Sequence, residues 1–104
     1  MSNKKEVLFL REEYGEGRGK YIYPHGGKYE GDWRNGKYHG QGTLTYPEGD
    51  EYVGEFKDGE YHGQGTWTQS WGSKSVGEWK DGIFWNGIYY DKDGNIDGKW
   101  VNGK

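Results

Sequence analysis

Along residues 28–34 the chain alternates, with Tyr29, Gly31 and Trp33 in one phase and Glu30, Asp32 and Arg34 in the other. A period of two is that of a strand with one face packed and one face wet. The alternation stops at Asn35-Gly36 and resumes with Gly40, Gly42, Leu44 and Tyr46 set against Gln41, Thr43 and Thr45. Asn-Gly accepts positive φ at both central positions of a two-residue turn, so the stretch predicts a β-hairpin.

The hairpin recurs. Gly31-Asp32-Trp33-Arg34-Asn35-Gly36 is echoed by Gly54-Glu55-Phe56-Lys57-Asp58-Gly59 and Gly77-Glu78-Trp79-Lys80-Asp81-Gly82, at a constant step of 23 residues. A fourth copy is Gly98-Lys99-Trp100-Val101-Asn102-Gly103. The intervening half repeats as well: Gly17-Arg18-Gly19 leads to Tyr21 and Tyr23-Pro24, Gly40-Gln41-Gly42 to Leu44 and Tyr46-Pro47, and Gly63-Gln64-Gly65 to Trp67. Two-stranded hairpins are marginal in water, so the units must pair edge to edge. The expected fold is all-β: a single elongated, twisted antiparallel sheet of tandem hairpin repeats, about nine strands and on the order of 40 Å long.

Counting back 23 residues maps Tyr29, Gly31 and Trp33 onto Glu6, Leu8 and Leu10. Residues 1–16 are therefore expected to form an N-terminal cap with a degenerate first strand at 7–11, and residues 17–104 the repeat array. The C-terminal strand is left without a partner after it, so Asp97, Lys99, Trp100 and Val101 are candidates for a self-association edge, most simply in a two-fold dimer.

Composition changes what the core must be made of. Only 30% of residues are apolar, while there are 21 glycines, 6 tryptophans and 10 tyrosines, so rings have to pack on backbone in place of an aliphatic interior. The glycines at the repeat positions Gly31, Gly36, Gly40, Gly42, Gly54, Gly59, Gly63, Gly65, Gly77 and Gly82 would supply that backbone and its turns. With no cysteine there is neither a disulfide framework nor a thiolate metal site. The apolar run at residues 7–10 is short for a signal-peptide core or a membrane span, and the expected location is cytoplasmic. A net charge of −3 with interspersed lysines and arginines gives no footprint for nucleic acid.

These residues resemble the MORN repeats (membrane occupation and recognition nexus), whose pattern Y-x-G-x-W/F-x-x-G-x-x-H-G-x-G matches from Tyr29 and again from Tyr52. The His-Gly-x-Gly element at His39 and His62 is the most specific part of the match. The third unit departs from it: Ser75 stands in place of Tyr, Trp85 in place of His and Asn86 in place of Gly, and one residue is missing before Gly98. The resemblance implies an assembly, tethering or dimerising module, and the family's name implies a membrane or phosphoinositide role.

Candidate chemistry is sparse. His39 and His62 recur two strand spacings apart, about 9–10 Å, which is too far for two ligands of one zinc, so a structural role is expected and no metal. Residues 91–95 start like a calcium loop, but Ile96 and Asn102 occupy the positions where glycine and glutamate are needed, and a tight turn is the better account. The Gly15-Glu16-Gly17-Arg18-Gly19-Lys20 run falls short of the phosphate-loop spacing. No serine, histidine and carboxylate set provides an activated nucleophile, so no enzyme and no cofactor are expected. Thr43 and Thr45, with Thr66 and Thr68, read as good strand residues.

The aromatic face carries the functional expectation. Trp33, Phe56, Trp79 and Trp100 fall in one row, Tyr38, Tyr61 and Phe84 in a second, and Tyr21, Leu44, Trp67 and Tyr89 in a third. Trp33, Tyr38, Phe56, Tyr61, Trp79 and Phe84 are the candidate lining of a groove that takes a protein or peptide segment, with homo-oligomerisation alongside. The alternatives are a glycan- or choline-binding module, because Trp85-Asn86-Gly87-Ile88-Tyr89-Tyr90 and Lys99-Trp100-Val101-Asn102-Gly103-Lys104 are also similar to cell-wall-binding hairpin repeats, or a membrane lipid tether.

Overall fold

The computed structural model describes residues 16–104. It is a single antiparallel sheet of eight strands in chain order: β1 (Glu16–Ile22), β2 (Lys28–Arg34), β3 (Lys37–Thr45), β4 (Glu51–Lys57), β5 (Glu60–Thr68), β6 (Lys74–Lys80), β7 (Ile83–Tyr90) and β8 (Ile96–Trp100). Its extents are 46 × 25 × 16 Å. These are eight of the nine expected strands; the degenerate strand at residues 7–11 and the cap it was assigned to lie outside the described residues, apart from Glu16 at the start of β1.

The hairpin turns are those the dipeptides require. Asn35 and Gly36 have φ of 52° and 76°, and Asp58-Gly59, Asp81-Gly82 and Asn102-Gly103 repeat the same left-handed pair. The last three of these turns are tied to the unit before them: Gly59 N–H donates to Tyr38 O at 2.9 Å, Gly82 N–H to Tyr61 O at 2.9 Å and Gly103 N–H to Trp85 O at 2.8 Å.

Register converts the repeated glycines into a track. Gly19 faces Gly31, Gly31 faces Gly42, Gly42 faces Gly54, Gly54 faces Gly65, Gly65 faces Gly77 and Gly77 faces Gly87, an unbroken line across seven strands. Rings fill the space above it. Tyr29 lies over Gly42 and Tyr52 over Gly65, where an added Cβ would overlap the phenol, and both tyrosines are fully buried. The indole N–H groups of Trp33 and Trp79 donate to the carbonyls of Gly19 and Gly65 at 3.1 Å. Tyr29, Trp33, Leu44, Tyr52, Phe56, Trp79 and Phe84 make the core, with a single aliphatic residue among them.

Each regular unit also carries a bulge. Between Gly31↔Gly42 and Trp33↔Tyr38, β2 spends one residue and β3 spends three, so His39 and Gly40 are additional. Gly40 sits there at φ 65° and Gly63, its equivalent, at φ 73°. An acid closes the bulge: Asp32 Oδ2 accepts from Gln41 N–H at 2.9 Å and Glu55 Oε2 from Gln64 N–H at 3.0 Å. The carboxylates occupy the space a Cβ at Gly40 or Gly63 would need. The buried tyrosine braces the same bulge, because Tyr29 Oη donates to Asp32 O at 2.7 Å and is hydrogen-bonded to the His39 backbone.

The third unit is one bulge residue short, with Trp85 alone between Phe84 and Asn86. Asn86 Nδ2 donates to Glu78 Oε1 at 2.9 Å, doing through its side chain what the Gln41 and Gln64 backbones do in the regular units. Ser75 leaves the tyrosine slot empty, and Phe84 swings over Gly87 to fill it.

Beyond β7 the expected row of Trp33, Phe56, Trp79 and Trp100 is not formed, because Trp100 lands opposite Gly87, at the end of the glycine track, and is 44% exposed. Gly98 follows Gly77 by 21 residues, two short of the step of 23 and not one; the bulge accounts for one, and the other, missing between the turn at residues 91–95 and Gly98, is the cause. Continuing the register from Tyr90↔Ile96 would turn Lys99 onto the ring-bearing face, and a bulge between Tyr89 and Tyr90 restores the alternation.

Candidate functional site

A groove of about 460 Å³ opens on the ring-bearing face, walled by Tyr23, Tyr38, Tyr46 and Tyr61, with His25, Pro47 and Glu60 at its margins. Tyr23 stacks on His25, ring centroids 5.6 Å apart and nearly parallel. Tyr38 is held by stacking on buried Tyr29 at 4.0 Å, and Tyr61 by stacking on buried Tyr52 at 4.0 Å. The Tyr46 and Tyr61 hydroxyls share a hydrogen bond. Burial first, and that bond second, push the Tyr61 phenol well above its ordinary value.

A second concavity of about 290 Å³, sharing Tyr23, Tyr38 and Gly59 with the first, is lined also by Tyr21, Gly36 and Lys37. A step of 23 residues carries Tyr21, Tyr23, Gly36, Lys37, Tyr38 and Gly59 onto Leu44, Tyr46, Gly59, Glu60, Tyr61 and Gly82, all of which line the first. The two concavities thus repeat at six positions, with Tyr21 against Leu44 and Lys37 against Glu60 as the differences, while Phe56, the equivalent of Trp33, lines neither. In the third unit Gln69 takes the place of Tyr46 and Phe84 is drawn into the core, so the series ends there.

Of the six residues expected to line the groove, Tyr38 and Tyr61 do so. Trp33, Phe56, Trp79 and Phe84 are 3–8% exposed and belong to the core, although the edge of Trp33 reaches the smaller pocket. Alternation assigns a residue to a face but does not give its depth on that face. Tyr23 and Tyr46 were visible in the repeated Tyr-Pro pairs, and their position just past a strand end is the signal that places them on the rim. Tyr29 and Tyr52, the most buried rings, carry the repeat without touching the groove.

The remaining candidates take structural positions. His39 and His62 are half-buried bulge residues, and His62 Nδ1 lies 4.0 Å from Asp81 Oδ1 in the following turn. No group of three or more potential metal ligands occurs among the described residues. Asp91 Oδ1 accepts from Asp93 N–H and Asn95 N–H at 2.9 Å, which closes the turn at residues 91–95 and holds the exposed carboxyl below its ordinary pKa. On the opposite face Thr43 and Thr66 are separated by Val53, and Thr45 and Thr68 by Glu51. Trp85, a ring of the choline-type alternative, lies under the Lys80 ammonium at 4.8 Å. No helix among the described residues is long and apolar enough to cross a membrane.

A family model for the MORN repeat matches three consecutive stretches, residues 16–28, 29–51 and 52–74. The chain belongs to the MORN repeat family. The matched boundaries are those of the geometry: each full MORN unit opens on a buried tyrosine, Tyr29 or Tyr52, and the match ends where Ser75 replaces it. Among curated proteins none matches the chain. MORN repeats are generally modules associated with proteins or membranes, and the family is typically non-catalytic. The groove is built from the two MORN units that keep the full pattern together with the end of the partial first one.

Proposed function

We propose that this MORN protein is a non-catalytic binding module that holds a segment of a protein partner along the paired tyrosine pockets. The observation that carries this reading is the groove itself. Four half-buried tyrosines present wide ring surface on a rigid sheet, each with few rotatable bonds to immobilise, the kind of surface that dominates protein recognition. The concavity of about 440 Å³ beside the third unit, lined by Lys74, Val76, Tyr90 and the turn at residues 91–94, has one tyrosine where this groove has four. A photo-crosslinking amino acid placed at the exposed Glu60 position, followed by mass spectrometry of the captured chain, tests the reading: adducts mapping to one protein segment are expected, and capture equal to that from the Glu30 position on the other face contradicts it.

A lipid role finds less support, because the groove margin carries one lysine and one glutamate and gains little from anionic headgroups. Self-association through β8 has a specific observation behind it. The strand reads Ile96-Asp97-Gly98-Lys99-Trp100, and antiparallel pairing with a second copy about Gly98 sets each Asp97 against a Lys99 and each Ile96 against a Trp100. Ile96, Trp100 and Val101 are exposed at 69%, 44% and 52%. The proposed assembly is a two-fold dimer that continues the sheet.

A further inference from the structure

We propose that the segment held in the groove is a left-handed polyproline II helix, seated through residues three apart in sequence. The inference rests on the binding reading above and names the shape of the ligand.

Equivalent pockets are one hairpin apart. Tyr38 stands on β3 and Tyr61 on β5, two strand spacings away, about 9.6 Å along the sheet. A ligand that uses both pockets alike must repeat at that interval. Polyproline II has three residues per turn and rises about 3.1 Å per residue, so like positions recur every 9.3 Å or so. An extended strand repeats at about 6.8 Å on one face, and an α-helix at about 5.4 Å per turn or about 10.8 Å over two turns. The first fits the pocket spacing to a few tenths of an ångström, and the others miss it by about 1 Å or more. The series is two pockets long because Gln69 and buried Phe84 end it, which sets the footprint at about two turns of such a helix.

The lining chemistry agrees. Tyrosine faces pack on pyrrolidine rings, and a polyproline II backbone has carbonyls with no internal partner. In the Tyr46–Tyr61 pair one hydroxyl donates to the other, so the accepting hydroxyl has a proton to give to a ligand carbonyl. Glu60 beside the larger pocket is matched by a basic ligand side chain, and Lys37 beside the smaller by an acidic one.

The test titrates the full chain with a nonaproline peptide and with an alanine-based helical peptide of equal length, following the tyrosine ring signals by NMR. Saturable shifts at Tyr23, Tyr38, Tyr46 and Tyr61, with Tyr90 unmoved and no saturation by the helical peptide, are expected. Tyr46→Ala should weaken nonaproline binding at least tenfold. Glu60→Lys lies on the exposed rim and leaves the core untouched, and it should remove an advantage of about threefold that a central arginine gives to a proline peptide. Absence of saturable nonaproline binding, stronger binding of the helical peptide, or an arginine preference unchanged in Glu60→Lys overturns the proposal. If crosslinking at Glu60 captures a defined protein segment while nonaproline does not bind, the binding module stands and the polyproline II ligand falls.

Discussion

The phenol ring of Tyr29 lies directly over Gly42, on the neighbouring strand, so closely that the space for a Cβ is already taken by Tyr29 atoms. Tyr52 and Gly65 repeat the relationship 23 residues on, and the Phe84 ring over Gly87 reproduces it with another residue where Ser75 has displaced the tyrosine. The sheet thereby buries tyrosine among other rings: Trp33, Tyr38 and Phe56 pack on Tyr29, and Phe56, Tyr61 and Trp79 on Tyr52. Tyr38 and Tyr61 stack on the far side of Tyr29 and Tyr52, so the contact that makes the core also sets the height of the groove walls.

The hydroxyls of these buried rings brace the bulges. Tyr52 Oη donates to Glu55 O at 2.9 Å and is hydrogen-bonded to the His62 backbone. Tyr52→Phe keeps the ring and leaves those backbone groups unpaired, so a loss of about 1–3 kcal/mol is expected from urea unfolding. Tyr90→Phe, on the outer face, is the control and is expected to change stability by less than about 0.5 kcal/mol.

Alkali should unfold the protein through the same groups. Burial is the main cause that raises the Tyr29 and Tyr52 phenols above their ordinary value of 10.0, and Tyr61 is raised in the same direction. A pKa raised in the folded state means that the native protein holds the proton more tightly than the unfolded chain. The resulting stability is complete below the ordinary phenol value and is lost as pH rises from there through the folded value. Unfolding free energy measured by denaturant titration should fall above about pH 10, with tyrosinate absorbance appearing together with unfolding. Titration of all ten tyrosines at the ordinary value with the fold intact contradicts this.

The acids that close the bulges are expected to matter in proportion to the backbone N–H they satisfy. Glu55→Ala strands the Gln64 N–H and should cost about 0.5–1.5 kcal/mol, with Glu55→Gln recovering part of it. Glu48→Ala in the neighbouring exposed turn serves as the comparison, and equal effects of the two substitutions remove the bulge-closing role.

Charge exchange tests the proposed dimer. Asp97→Lys opposes lysine to lysine across the two-fold pairing and should shift the mass measured by light scattering toward the monomer, while the double exchange Asp97→Lys with Lys99→Asp restores the pairing and the dimer. A mass unaffected by either contradicts the proposed pairing.

Strand phase, hairpin turns and the repeat step were legible in the sequence because each is local: alternation of Tyr29, Gly31 and Trp33 fixes the face, and Asn35-Gly36 fixes the turn. Depth was not legible. Trp33 and Tyr38 share a face and sit opposite each other, yet one is core and the other groove wall; Tyr29, on the same strand as Trp33, meets Trp33 edge-on and carries Tyr38 stacked on its face. The additional residues at His39 and Gly40 showed as a motif, but their consequence, a bulge that fits the Asp32 carboxylate, exists only once β2 and β3 are paired. Trp100 was misplaced for the same reason, since a single missing residue changes which residue faces Gly87.

Gly65→Ala, compared with Gly98→Ala in denaturant unfolding of the full chain, bears most directly on the claim that rings resting on side-chain-free backbone hold this sheet together. A Cβ at Gly65 meets the Tyr52 ring, whereas at Gly98 its nearest neighbour is Tyr89 Cβ at 3.8 Å. Gly65→Ala should lose about 1–3 kcal/mol or more and Gly98→Ala should lie within about 0.5 kcal/mol of the parent. Equal stability of the two variants contradicts the account.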